Sequence, residues 1–139
     1  MKRSHAVLIW ITGLMLVASA CSAASPSPAT TAITATLKEY SIDISAATAP
    51  AGPVTFTVTN SGTMIHEFVV LQTDTLAADL PLANDEVNED DYTSMGEVAD
   101  LEAGASGSLS ATLAAGHYAI ICNLPGHGRQ GMAIDFNVE

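Results

Sequence analysis

The chain has 139 residues, enough for one domain, and sets 15 Asp and Glu against four Lys and Arg, a formal net charge of −11. It lacks the cationic footprint that nucleic-acid binding requires, so nucleic acid is not expected as a partner. A charged protein partner would present a basic face. In chain order, "MKRSH" contributes Lys2 and Arg3, "AVLIWITGLMLV" is an apolar run of the length of an export-signal core, and "ASA" ends it just before Cys21. The run is shorter than the roughly twenty apolar residues of a membrane-spanning helix. Residues 1–20 therefore read as a signal peptide. The chain is expected to be exported, to the outer face of the cytoplasmic membrane or the periplasm.

A cysteine directly after a small-residue cleavage site, followed by "SAASPSPATTA", resembles the bacterial lipoprotein pattern. There the cysteine becomes the lipidated first residue of the mature chain. Ala18 stands where that pattern prefers Leu, and cleavage by the ordinary signal peptidase after Ala20 also fits. The reading adopted is lipidation of Cys21, attaching the chain to the membrane. Residues 21–32, rich in Ser, Pro, Ala and Thr, have too few large apolar side chains to fold and read as a flexible linker. In an oxidising compartment paired cysteines form disulfides. With Cys21 lipidated, Cys122 has no partner, and an odd cysteine in an exported chain calls for an explanation.

The domain is expected over 33–139. In "ITATL", Ile33, Ala35 and Leu37 share a face; in "YSIDI", Tyr40, Ile42 and Ile44 do, and the phase slip at Lys38–Glu39 reads as a bulge or bend. "PAGP" is a turn. "VTFTVTN" alternates Val54, Phe56 and Val58 with threonines, "NSG" turns again, and "HEFVVL" is a strand too uniformly apolar to phase. Residues 72–103 hold ten acids and no Lys or Arg, with one helical turn at "LAADL". "NDEVNEDDY" lacks the glycine and acid spacing of a calcium loop. The segment reads as a solvated excursion between two sheets. "GSLSATL", "AGHYAIIC" and "MAIDFNV" complete the strands. Short strands between Gly, Pro and Asn turns predict an all-β sandwich or barrel.

Strand phase bears on "CNLPGHGRQGM". Tyr118, Ile120 and Cys122 share a face, as do Met132, Ile134, Phe136 and Val138, so Cys122 and Met132 are both in the inward register. His127 lies midway along the loop between them. A thiolate, an imidazole and a thioether would converge at the end of the sandwich. Two histidines and a cysteine with a weak axial methionine make a blue-copper electron-transfer site. Beyond residue 20 the remaining histidines are His66 and His117. His117 precedes Cys122 by five residues in opposite phase, about 15 Å along an extended strand. It reads as an ordinary surface residue, which leaves His66.

"NSGTMIHEFVV" followed by "YAIICNLPGHGRQGM" resembles the small blue-copper proteins, the cupredoxins, and the Cys-x4-His-x4-Met spacing is similar to their rusticyanin, auracyanin and sulfocyanin branch. The resemblance spans about residues 33 to 139. It implies a Greek-key β-sandwich and one type 1 copper, with His66, Cys122 and His127 as equatorial ligands and Met132 as the axial one. It also implies that the edge of His127 reaches the surface in an apolar patch that Leu124 and Pro125 help to form. Many cupredoxins have Asn after the first histidine, where its side chain ties the two ligand loops together; here that position is Glu67, so the brace is not visible in the sequence. The expected function is a one-electron carrier, not an enzyme, monomeric, membrane-tethered through Cys21 and serving redox-partner proteins. A copper-delivery protein and a metal-free adhesion module are the competing readings.

Overall fold

The structure, a computed structural model, describes residues 29–139. The expected signal peptide, Cys21 and most of the expected linker lie outside the described residues. No helix among the described residues is long and apolar enough to cross a membrane.

Eleven strands are present among the described residues: β1 Thr31–Lys38, β2 Ser41–Ile44, β3 Thr48–Ala49, β4 Gly52–Asn60, β5 His66–Gln72, β6 Leu82–Ala83, β7 Glu86–Val87, β8 Thr93–Leu101, β9 Ser106–Leu113, β10 Gly116–Ile121 and β11 Ala133–Val138. One sheet has the order β2-β1-β4-β9 and the other β3-β11-β10-β5-β8, while β6 and β7 form a small separate ribbon. The β1–β4 and β3–β11 pairs are parallel and the other pairs antiparallel. This is the β-sandwich that the alternation predicted, with the first strand starting at Thr31 rather than Ile33.

On β1, β4, β10 and β11 the inward residues are those the alternation named, and β5, which could not be phased, adds Phe68 and Val70. Ile33, Ala35 and Leu37 of β1 and Val54, Phe56 and Val58 of β4 meet Phe68, Val70, Tyr118, Ile120, Phe136 and Val138 in one core. Phe56 stands at its centre, with ring centroids 5.3 Å from Phe68 and 5.5 Å from Phe136. Each of the larger side chains contributes about 1.5–3 kcal/mol by leaving water, and each aromatic pair about 0.5–1.5 kcal/mol more. The Tyr118 hydroxyl donates to the Ala114 carbonyl at 2.8 Å, so its one polar atom is satisfied.

Two expectations change. The phase slip at Lys38–Glu39 is no bulge. β1 and β2 pair antiparallel with Lys38 opposite Ser41, and Glu39 and Tyr40 form the tight turn between them. Alternation restarts there because the chain reverses.

The acidic tract 72–103 is more than a solvated excursion. It contains β8, which pairs with β5. Its Ala77, Leu80 and Val87 form a second apolar cluster with Val69, Leu71, Ala119 and Ile121, on the outer faces of β5 and β10. That is why "HEFVVL" showed no phase: both faces of β5 are covered. β8 was hidden because its pairing with β5 shifts register twice, between His66 and Phe68 and between Val70 and Leu71, which breaks period-two alternation. The turn at "LAADL" is present as a single 3-10 turn, Ala77–Asp79.

Candidate metal centre

Three strand ends meet at one end of the sandwich. His66 is the first residue of β5, Cys122 follows β10 directly, and Met132 precedes β11. The Cys122 amide donates to the Met132 carbonyl at 2.9 Å, closing the loop between them. Inside it, the Met132 amide donates to the His127 carbonyl at 3.1 Å and the His127 amide to the Leu124 carbonyl at 3.0 Å. A 3-10 turn over Gly128–Gln130 leads into Gly131 at φ 124°, where a Cβ would lie 2.7 Å from the Tyr40 carbonyl oxygen. Glycine is required there twice over, by the backbone angle and by the close approach.

The loop delivers the donors to one point. The Nδ1 atoms of His66 and His127 are 3.3 Å apart. The Cys122 Sγ is 3.3 Å from His127 Nδ1 and 3.9 Å from His66 Nδ1. Three donors bound to one first-row metal ion in a trigonal plane, at about 2.0–2.3 Å, would stand about 3.5–3.8 Å from one another. The observed triangle is close to that size, with two edges slightly shorter and one slightly longer. His66, Cys122 and His127 are also the single group of metal-capable His, Cys, Asp or Glu side chains among the described residues. The acidic "NDEVNEDDY" stretch supplies none. Met132 is fully buried and belongs to the same core cluster as Cys122. A soft thiolate, two imidazoles and a thioether are a donor set that fits one type 1 copper.

Burial pushes the Cys122 thiol up, opposed by the Glu67 and Leu124 amides, which favour the thiolate. The Glu67 N–H donates to Sγ at 3.3 Å. Burial also lowers His127, helped by His66 beside it and opposed by Glu39. The lowered His127 suits metal binding, which needs neutral imidazole, whereas burial of the Cys122 thiol opposes it, because the metal must displace that proton to bind the thiolate. The Glu67 side chain does something else: burial raises its pKa, and Glu97, Asp100, Glu89 and Glu86 add to the shift.

The brace left open by Glu67 comes from three residues that the sequence did not single out. Asn60 is fully buried. Its side-chain NH₂ donates to the Met64 and Leu101 carbonyls, both at 2.7 Å, and its Oδ1 accepts the Gly62 amide at 2.9 Å, which pins the loop before His66. The Glu39 Oε1 accepts the Thr63 and Met64 amides at 2.5 and 2.7 Å. These amides, together with its own, hold the carboxyl down to about 2. Asn123, next to Cys122, accepts the Val87 amide at 2.8 Å and donates to the Val87 carbonyl and the Glu89 carboxylate, fastening the acidic segment to the loop. The "NSG" turn marked Asn60 as a turn residue, but the long-range bonds of Asn60 to Leu101, Glu39 to Thr63 and Met64, and Asn123 to Val87 and Glu89 left no local signal.

His117 is outside the site, as its phase required. It is half-buried rather than a plain surface residue: Nδ1 lies 2.6 Å from the Thr73 carbonyl and Nε2 2.9 Å from Asp135. Met95 packs partly buried against the core, and Met64 is exposed.

The folds of several solved proteins are similar. Auracyanin from Roseiflexus castenholzii, in its dithionite-reduced form, superposes with a TM-score of 0.60 at 21% identity, covering 82% of this chain and 99% of that one. Auracyanin A, a "blue" copper protein from the green thermophilic photosynthetic bacterium Chloroflexus aurantiacus, gives 0.62 at 21%, covering 80% and 100%. Rusticyanin from Thiobacillus ferrooxidans gives 0.62 at 18%, covering 81% and 79%. At these identities the likeness is one of fold. No curated protein matches the sequence. The family profile described as "Cupredoxin-like domain" matches residues 7–134, most of the chain, and on that match the protein belongs to the cupredoxin-like family.

Proposed function

We propose that the protein is a one-electron carrier in which His66, Cys122, His127 and Met132 hold a single copper ion. The observation that carries this reading is the buried triangle of two Nδ1 atoms and one Sγ, all within 4.8 Å of one another. Copper bound there would supply a one-electron couple, with sulfur donors suiting Cu(I) and imidazole suiting either state. The chain's own part is rigidity. The loop hydrogen bonds and the Asn60 brace limit how far the donors can move between oxidation states. His66, Cys122 and Met132 are 0–1% exposed and His127 is 7% exposed. All four donors come from the protein and most are closed to solvent, which supports a carrier rather than an enzyme.

The one donor with an edge towards solvent, His127, is the proposed point of electron exit. Tyr40 stands edge-on to it at 5.6 Å between ring centroids, and Leu124 and Pro125 lie on the same loop. Around Glu67, beside His66, the acidic Glu86, Glu89, Glu97 and Asp100 form a negative face. The partner proposed is a redox protein with a basic face, held there weakly enough to leave. A signal peptide over 1–20, a lipid on Cys21 and a linker would tether a monomeric domain outside the cytoplasmic membrane while letting it reach donors and acceptors.

Copper-loaded protein should show intense visible absorption from thiolate–Cu(II) charge transfer, lost in Cys122→Ser. No such band at full copper loading refutes the reading. Reversible voltammetry with copper retained against a moderate chelator supports a carrier, whereas copper transfer to an acceptor apoprotein supports delivery. A diacyl- or triacylglyceryl mass on Cys21 supports the tether, and an unmodified Cys21 refutes it.

A further inference from the structure

The Nε2 atom of His66 is buried and has no hydrogen-bond partner. A buried polar atom without a partner is costly, so its surroundings are informative. Facing it at 3.7 Å is Glu39 Oε1, with the imidazole fully buried and the carboxylate side chain 26% exposed. That carboxylate cannot swing freely. The same oxygen accepts the Thr63 and Met64 amides, and the Thr63 hydroxyl lies 3.3 Å away. Gly62 makes room for it, since a Cβ there would stand 2.6 Å from Oε1. One oxygen therefore holds the loop that leads into His66 and also faces the far side of its ring. Its neighbour Tyr40 packs against the other imidazole.

We propose that Glu39 is the positioning residue of His66: its carboxylate keeps the proton on Nε2, so that Nδ1 presents a lone pair towards Cys122 and His127, and its negative charge favours the oxidised state of the centre. The inference rests on the copper reading above. Ligating histidines ordinarily give their second N–H to a carboxylate, a backbone carbonyl or water. Among these choices a carboxylate adds a full charge. Here that charge belongs to the β1–β2 turn, and the Glu67 side chain, surrounded by other acids, is not the source. A fixed negative charge stabilises the more positive of two oxidation states and lowers the reduction potential.

The test has two independent arms. In the copper-free protein, long-range ¹⁵N NMR of His66 should show the Nε2-protonated tautomer in the native chain and in Glu39→Gln, and a mixture in Glu39→Ala. In the copper-loaded protein, Glu39→Gln should keep the visible band and raise the potential. A tenfold change in the ratio of affinities for the two oxidation states reads as about 59 mV for one electron, and a rise of that order is the expected result. A purely structural brace would alter thermal stability but leave the potential of Glu39→Gln at the native value, and that outcome overturns the proposal. So does an Nδ1-protonated His66 in the native copper-free protein. If the native protein forms no visible band, the copper reading fails and the tautomer alone decides the role of Glu39.

Discussion

Asn60 offers the sharpest test of how the loop before His66 is held. Its amide is fully used: two N–H groups go to the Met64 and Leu101 carbonyls and one oxygen takes the Gly62 amide. In Asn60→Ala all three bonds vanish, and one buried and two part-buried backbone groups lose their partners. At about 1 kcal/mol each, the loss comes to about 3 kcal/mol. In Asn60→Asp the side chain keeps its shape but has no donor. A carboxylate would then face two carbonyl oxygens in a fully buried site, so Asp should be worse than Ala despite its closer size. The assay is urea unfolding of the copper-free domain followed by far-UV circular dichroism. With a slope of about 1–3 kcal/mol per M, a loss of 3 kcal/mol moves the midpoint down by about 1–3 M at unchanged slope. A cost below about 1 kcal/mol for Ala, or an Asp variant as stable as Ala, refutes the three-bond account.

Asn123→Ala should release the acidic segment from the loop: hydrogen exchange at the Val87 amide, which now donates to the Asn123 side chain, should accelerate by about tenfold or more, with the core strands unaffected. Gly131→Ala should destabilise the domain by about 1–3 kcal/mol, because a non-glycine residue is strained at φ 124° and its Cβ meets a backbone oxygen that cannot step aside; thermal unfolding measures it, and a neutral substitution would contradict the loop geometry. Glu39 gives a pH dependence of definite sign. Its carboxyl falls from 4.5 to about 2 on folding, so its contribution is complete above pH 4.5 and fades as pH drops towards 2. Native protein should therefore lose stability over that window relative to Glu39→Gln, and parallel pH profiles for the two would refute the contribution.

What could be read from the sequence divides by range. Period-two alternation depends on neighbours along one strand, and it located the inward faces of β1, β4, β10 and β11, including the inward register of Cys122 and Met132. Loop spacing and strand phase together leave few ways to bring sulfur and nitrogen to one point, and three of the four expected donors, His66, Cys122 and His127, do lie within 4.8 Å of one another. β8 and the second core were not legible. Their signal is a relation between strands: the outer face of β5 can be apolar only because Ala77, Leu80 and Val87 return to cover it. Ten acids in the same tract made that cover look like solvent-facing chain.

The brace lies at the far end of the same scale. Glu39 reaches Thr63 and Met64 across 24 and 25 residues, and nothing in "LKEYS" distinguishes it from any acid at a turn. Glu67 stands where the family resemblance puts a bracing Asn, yet its contribution to the centre is its backbone amide on Cys122 Sγ, which any residue but proline could make. Here the tying contacts come from Asn60, whose amide joins the loop before His66 to the Leu101 carbonyl, and from Glu39 on the first hairpin. In this chain the histidine is restrained without a bracing side chain directly after it. A carboxylate in that role brings a charge that an amide does not, so the substitution that leaves the fold alone is free to alter the chemistry of the centre.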